Sequence, residues 1–269
     1  MGRRRTGKSR KGSAGRGREA RARKAATKTD GAGGDRKSRK RGGRGEHSGT
    51  REWLKAFMLA VVLFFVLRLF VIQTFVITSG SMENTLLVGD FLVVNRAAIG
   101  SRVPFTNIRI PGYSEPRRGD VLVFDPHHEE NMTLVKRLVG LPGDTLEMRD
   151  KVLYLNGEPQ DEPYAVTTRA PDSPDPIMQW QREYLVGGPR DDYRPTRDNW
   201  GPIAIPSGYH FMLGDNRDSS LDSRYWGLLE GWRFEGRAVA IYFSYNRGSA
   251  RPFPWIREIR RSRIGDRIR

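Results

Sequence analysis

One lysine stands where an apolar strand is expected. In "NMTLVKRLVGLPGD" (131–144), Lys136 lies among Leu134, Val135, Leu138 and Val139, in a run closed by "LPGD". Burial penalises an unpaired ammonium and favours the neutral amine. An ordinary lysine, with a pKa of ~10.4, is neutral in only about one molecule in a thousand near pH 7.4. Lowering that value by ~2–3 units would turn the amine into a competent general base. A base needs a nucleophile, and "ITSGSMENTLLVGD" (77–90) offers Ser79 and Ser81 on either side of Gly80. That glycine would let another backbone approach closely. Ser-Lys pairs are a known variant of the Ser-His arrangement. A third run, "LGDNRDSSLDSRYWG" (213–227), could place a hydroxyl and a carboxylate beside such an amine.

Each run also has a plain reading. Ser-Gly-Ser is ordinary turn chemistry, a lysine can snorkel from an edge strand, and Ser, Asp and Arg together describe any hydrogen-bonded turn. Arg137 falls on the opposite face of the strand by period-two alternation and is expected to be the solvated charge. Asp215 and Asp218 could suggest a paired-carboxylate hydrolase, but the polar run accounts for them better. "DPHHEE" (125–130) looks metal-like but reads as a solvated turn, so no metal or cofactor is expected. With no cysteine in 269 residues, thiolate chemistry and disulfides are excluded.

The elements that must position these residues read as strands. "TFVIT", "DFLVVNR", "GDVLVFDP", "TLVKRLVG", "DTLEMRDKVLYLNG", "YHFMLGDN" and "RAVAIYFSY" are β-branched or aromatic and are punctuated by Gly, Pro, Asp and Asn. The expected fold class is mainly β, an antiparallel sheet domain over 73–257. Residues 158–200, rich in Pro and Asp, read as a partly mobile excursion from the sheet. The stretch 258–269 reads as a basic tail.

The N-terminal part differs in kind. Residues 1–51 hold 19 of the 47 Lys and Arg and only four of the 31 Asp and Glu, so the formal net charge of +16 belongs almost wholly to them. With almost no apolar residues, this tail is expected to be disordered. The apolar run that follows, "WLKAFMLAVVLFFVLRLFVIQTFVI" (53–77), predicts a single transmembrane anchor at 52–72. From Trp53 to Arg68 a helix rises roughly 22 Å at ~1.5 Å per residue. That is short of the ~30 Å hydrocarbon core, so Arg68 is expected to snorkel to the far interface. The positive-inside rule puts the tail in the cytoplasm and everything after about residue 75 outside.

Taken in this order after one span, the three chemical runs resemble the bacterial type I signal peptidases. These are membrane-bound serine endopeptidases that release signal peptides from exported preproteins. The resemblance runs from about Phe57 to Phe243, and "GDNRDSSLDSRYWG" and "VKRLVGLPGD" carry most of it. It implies that Ser81 is the nucleophile and Lys136 its base. It further implies that Ser79 helps to form the oxyanion hole and that Ser220 orients the amine, with Asp222 and Arg224 as a supporting ion pair. Phe75, Ile77, Met82, Leu86, Leu134 and Val135 would shape apolar pockets for small side chains at positions −1 and −3. Two positions depart from the family pattern: Asn84 stands where proline is usual, and Leu134 where tyrosine is frequent.

The implied partners are secreted preproteins, membrane lipids and, as a possibility, the protein translocation machinery. No nucleic-acid partner is expected. A self-cleaving repressor-type Ser-Lys peptidase would share the chemistry but carries no membrane span. A membrane-tethered binding protein with a nucleic-acid- or lipid-binding tail is the alternative from another class. It predicts salt-sensitive binding and indifference to changes at Ser81 or Lys136.

Overall fold

The computed structural model describes residues 46–102, 106, 108–128 and 132–269. Most of the expected basic tail lies outside these residues. The chain begins with helix α1 (Glu46–Phe70) and turns at once into strand β1 (Ile72–Val76). The apolar run 53–77 is therefore divided between a helix and an edge strand. Its Val-, Ile- and Phe-rich end prefers the pleat of a sheet. Large side chains along α1, among them Trp53, Phe57, Leu59 and Phe64, are exposed. Among the described residues, no helix is long and apolar enough to cross a membrane. The uninterrupted apolar stretch Ala56–Leu67 spans only about 18 Å.

From there the chain is almost all strand. β2 (Asp90–Asn95) leads through the one-turn helix α2 (Arg96–Ile99) to the ribbon of β3 (Gly100–Arg102) and β4 (Arg109–Pro111). β5 (Val121–Phe124) and β6 (Leu134–Gly140) follow, then β7 (Thr145–Arg149), β8 (Val152–Leu155) and β9 (Glu158–Pro159). The last third supplies β10 (Trp200–Ala204), β11 (Tyr209–Leu213), the short helix α3 (Ser223–Trp226), β12 (Leu229–Glu230) and the long β13 (Phe234–Ser244).

One sheet has the order β1-β2-β13-β5-β6-β11-β12, and a second has β10-β7-β8-β9. Every named strand pair is antiparallel. This is the fold class that the strand pattern predicts. β5 and β6 are central, and register sets Leu122 opposite Lys136 and Val121 opposite Arg137. All four residues of β5 are buried, as are the last five of β6. Both faces are covered, so alternation along β6 does not deliver the side chains of Lys136 to Val139 to water.

Two stretches outside the main strands make specific contacts with the folded domain. In the 158–200 region, Met178 and Gln181 of the 3-10 helix (Pro176–Tyr184), Tyr193 and Trp200 are buried, whereas 158–177 holds no buried residue. Met178, Tyr193 and Trp200 join Leu146, Met148 and Phe211 in one core cluster. Poor periodicity there reflects short irregular turns wrapped on a sheet. The 258–269 stretch does not hang free either. Arg263 forms a 2.6 Å ion pair with buried Asp90, Ile268 packs on the core, and Ala240 bridges to Arg267.

Candidate active site

The turn carrying Ser81 is closed at its base by Ile77 N–H on the Asp90 carbonyl and Gly89 N–H on the Ile77 carbonyl, both 2.9 Å. Within it, Glu83 N–H donates to the Gly80 carbonyl (3.0 Å) and Leu86 N–H to the Met82 carbonyl (2.7 Å). Met82 and Leu86 are fully buried and pin the turn to the core beside Leu92 and Val94. Ser81 therefore sits on a fixed turn and is itself buried. Asn216 holds it from the other side, its N–H donating to the Ser81 carbonyl (3.0 Å) and its side-chain amide to the Gly80 carbonyl (3.2 Å).

β6 brings Lys136 to this turn. Its Nζ lies 2.5 Å from Ser81 Oγ, and the residue is 3% exposed. Burial pushes the amine down from 10.5 to about 8, against an upward pull from Asp222, a downward push from Arg224 and a weaker upward pull from Asp215. A substantial fraction is thus neutral just above neutrality. Ser79 Oγ is 3.3 Å from Ser81 Oγ, within reach of the same reacting centre.

Asp222 and Arg224 form a buried bidentate pair, with two contacts of 2.8 Å. Asp222 also caps α3 by accepting from Arg224 N–H, and it accepts from Gly214 N–H (3.1 Å). Ser220 is buried, but its hydroxyl has no hydrogen-bond partner among the described residues, and the amine contacts Ser81. Gly214 explains how closely these parts meet. A Cβ there would fall 2.1 Å from Ser220 Oγ and 2.5 Å from the Ser81 carbonyl oxygen. Only a residue without a side chain fits.

Arg137 overturns its sequence reading as a solvated charge. It is 1% exposed and bidentate to Asp215 (2.8 and 2.7 Å), and it also reaches the Gly119 carbonyl and Thr85 Oγ1. The opposite face of β6 is covered by the 213–218 loop and by Tyr164, whose ring lies 3.8 Å from the guanidinium. No local pattern signals this pairing, since 78 residues separate the partners. Asp218, the other candidate carboxylate, is engaged elsewhere by Lys151 (3.2 Å) and Arg197 (3.0 Å). The rings of His127 and His128 pack on Trp226.

A shallow cleft of about 180 Å3 opens at Ser81. Ile77, Met82, Leu134 and Val135 line it as expected, joined by Val76, Thr78, Met132 and Thr133. Phe75 and Leu86 do not line it. Phe75 packs against the core cluster that includes Ile77 and Met82, and Leu86 is fully buried within it.

A buried seryl hydroxyl against a lysine amine of lowered pKa, beside a small apolar cleft on an antiparallel sheet, has the make-up of a serine peptidase with a lysine base. The model of the signal peptidase, peptidase S26, family matches residues 50–243. A signal peptidase I of Pseudomonas aeruginosa is 37% identical over 211 residues, which cover 72% of each chain. That of Bacillus licheniformis is 35% identical over 72% of this chain and 89% of its own. A crystal structure of a signal peptidase I from Enterococcus faecalis V583 shares 30% identity over 46% of this chain and 97% of that one, with a TM-score of 0.31. The chain belongs to the signal peptidase, peptidase S26, family. It is a serine endopeptidase that cleaves signal peptides.

Proposed function

We propose that Ser81 is the nucleophile and Lys136 the general base, and that cleavage follows small residues at −1 and −3. The observation that carries this reading is the 2.5 Å contact between Lys136 Nζ and Ser81 Oγ, with the amine buried and lowered to about 8. In its neutral state the amine takes the Ser81 proton as Oγ attacks the scissile carbonyl. The oxyanion is received by the Ser79 hydroxyl and the Ser81 N–H, and one such donor is typically worth ~3 kcal/mol. The ammonium then protonates the leaving amine, and a water activated by the same lysine releases the acyl group. Ser220 would orient the amine, a role for which its buried hydroxyl, without a partner among the described residues, is free. The narrow volume between Ile77, Met82 and Leu134 supports the preference for small side chains.

Membrane anchoring through α1 belongs to the same proposal, with secreted preproteins and lipid as partners and the translocation machinery nearby. The exposed apolar length of α1 supports it, with the Arg68 guanidinium turned to the Ile72 carbonyl and Thr74 Oγ1 at its end. The basic segment would stay in the cytoplasm and the peptidase domain outside. Protease added to sealed right-side-out vesicles should then spare the N-terminal segment.

The catalytic test uses the full chain in detergent with a preprotein substrate and reads the cut site by mass. Ser81→Ala and Lys136→Ala should each abolish cleavage, and the double variant should lose no more than either alone. Retention of more than a few per cent of turnover in either would refute the assignment.

A further inference from the structure

We infer that the segment Glu162–Val166 is a positioning strap for the Ser81–Lys136 pair, an inference that rests on the roles proposed above for those two residues. The pair comes from parts of the chain 55 residues apart. A second element must fix the separation, and this segment touches the carrier of each partner.

Its first attachment is to the turn that bears Ser81. Asn84, three residues on, donates its side-chain amide to the Tyr164 carbonyl (3.2 Å). Asn84 has φ +85°, a left-handed conformation that asparagine tolerates and proline cannot adopt. The second attachment is to the strand of the base, since the Tyr164 ring lies under Arg137, the residue next to Lys136. A third is to the loop that grips the nucleophile. Val166 N–H donates to the Asp215 carbonyl (2.7 Å) and Val166 accepts from Arg217 N–H (2.9 Å), while Asn216 between them holds the Ser81 carbonyl. Glu162 ties the strap to itself and to that loop, accepting from the Tyr164 hydroxyl (2.9 Å) and from both Arg217 Nη atoms (2.7 and 2.8 Å). None of Glu162, Tyr164 and Val166 lines the cleft at Ser81. The strap therefore governs the spacing of the reacting groups and not the binding of the peptide.

The test measures kcat, KM and thermal unfolding of the full chain in detergent, with a peptide bearing alanine at −1 and −3. Tyr164→Leu should lower kcat tenfold or more with KM within twofold, at a temperature where the variant is folded. Tyr164→Phe, which keeps the ring under Arg137 but loses the bond to Glu162, should fall between the parent and Tyr164→Leu. Asn84→Asp tolerates the same backbone but cannot donate, and should lower kcat several-fold. Asn84→Pro should fail although proline is usual in the family, because its φ of about −65° contradicts the turn. The inference is overturned by an unchanged kcat in Tyr164→Leu, by a loss confined to KM, or by equal damage in Tyr164→Phe. Should Tyr164→Leu not fold, Asn84→Asp decides, since its side chain is exposed and an unchanged kcat there refutes the strap. Ser81→Ala run in parallel separates the two readings: activity in that variant sinks the catalytic assignment, whereas its inactivity beside unimpaired strap variants sinks the strap alone.

Discussion

Lys136 and Arg137 are neighbours on one strand, both buried, and only Arg137 has a carboxylate in contact. The guanidinium is neutralised by Asp215 at 2.7 Å, while the amine meets an uncharged hydroxyl. An always-charged group is thus paired, and a group that can shed its proton is left to do so. Two adjacent cations in one sheet core have opposite electrostatic fates.

The first prediction concerns rate against pH. A base that must be neutral makes kcat/KM rise with pH up to its free-enzyme pKa. With Lys136 at about 8, the profile should climb tenfold per unit at acidic pH and level off above about 8. A plateau already reached by pH 6.5 would point to another base.

Asp222 offers a check on the same amine. Its charge raises the Lys136 pKa, so Asp222→Asn should move the midpoint of the profile to lower pH. The amide oxygen can still accept from Gly214 N–H, which separates the charge from the hydrogen bond. A midpoint moved upward would contradict the electrostatic account.

Stability should respond to the same amine in a higher pH window. Below about 8 the native state bears the full cost of the buried ammonium. Between about 8 and 10.5 the unfolded chain binds more protons, so stability rises with pH, and above 10.5 the cost is gone. Lys136→Met should therefore stabilise the inactive protein by up to roughly 3 kcal/mol at pH 7, at ~1.36 kcal/mol per pKa unit. The gain should shrink towards pH 10.5 in denaturant titrations. A pH-independent difference would show that packing, not charge, is responsible.

Breaking the neighbouring pair should do the reverse. Arg137→Met leaves Asp215 buried without its cation and should cost about 3–5 kcal/mol, with Arg137→Met/Asp215→Leu recovering a large part. Equal unfolding free energies for the single and double variants would argue against an uncompensated charge.

Gly214→Ala tests how tightly the parts meet. Its Cβ would intrude on Ser220 Oγ at 2.1 Å and on the Ser81 carbonyl at 2.5 Å, so the nucleophile turn must shift. Overpacking of this kind costs about 1–3 kcal/mol, and the displacement of Ser81 should remove most of the turnover. Parent-like activity in a folded variant would mean that the loop yields without moving Ser81.

What the sequence determined by itself was local: strands from alternation and β-branched runs, turns from Gly, Pro and Asp, and an amine set in an apolar run. Those patterns identify Lys136 because its immediate neighbours create its surroundings, and the quoted runs identify Ser81 by family resemblance. Tertiary structure decided the rest, because period-two alternation says which face a side chain takes but not what covers that face. Arg137 read as solvated until Asp215 and Tyr164 were found over it. The 158–200 region read as loose because irregular turns have no period, yet Met178, Tyr193 and Trp200 are buried in the core. Leu86 read as lining the cleft at Ser81, but the one-turn bend at Met82 sets it in the core beside Leu92, off that cleft. The contact of Lys136 with Ser81 is likewise a product of sheet order and turn closure, which join residues too far apart in the chain for any local pattern to pair.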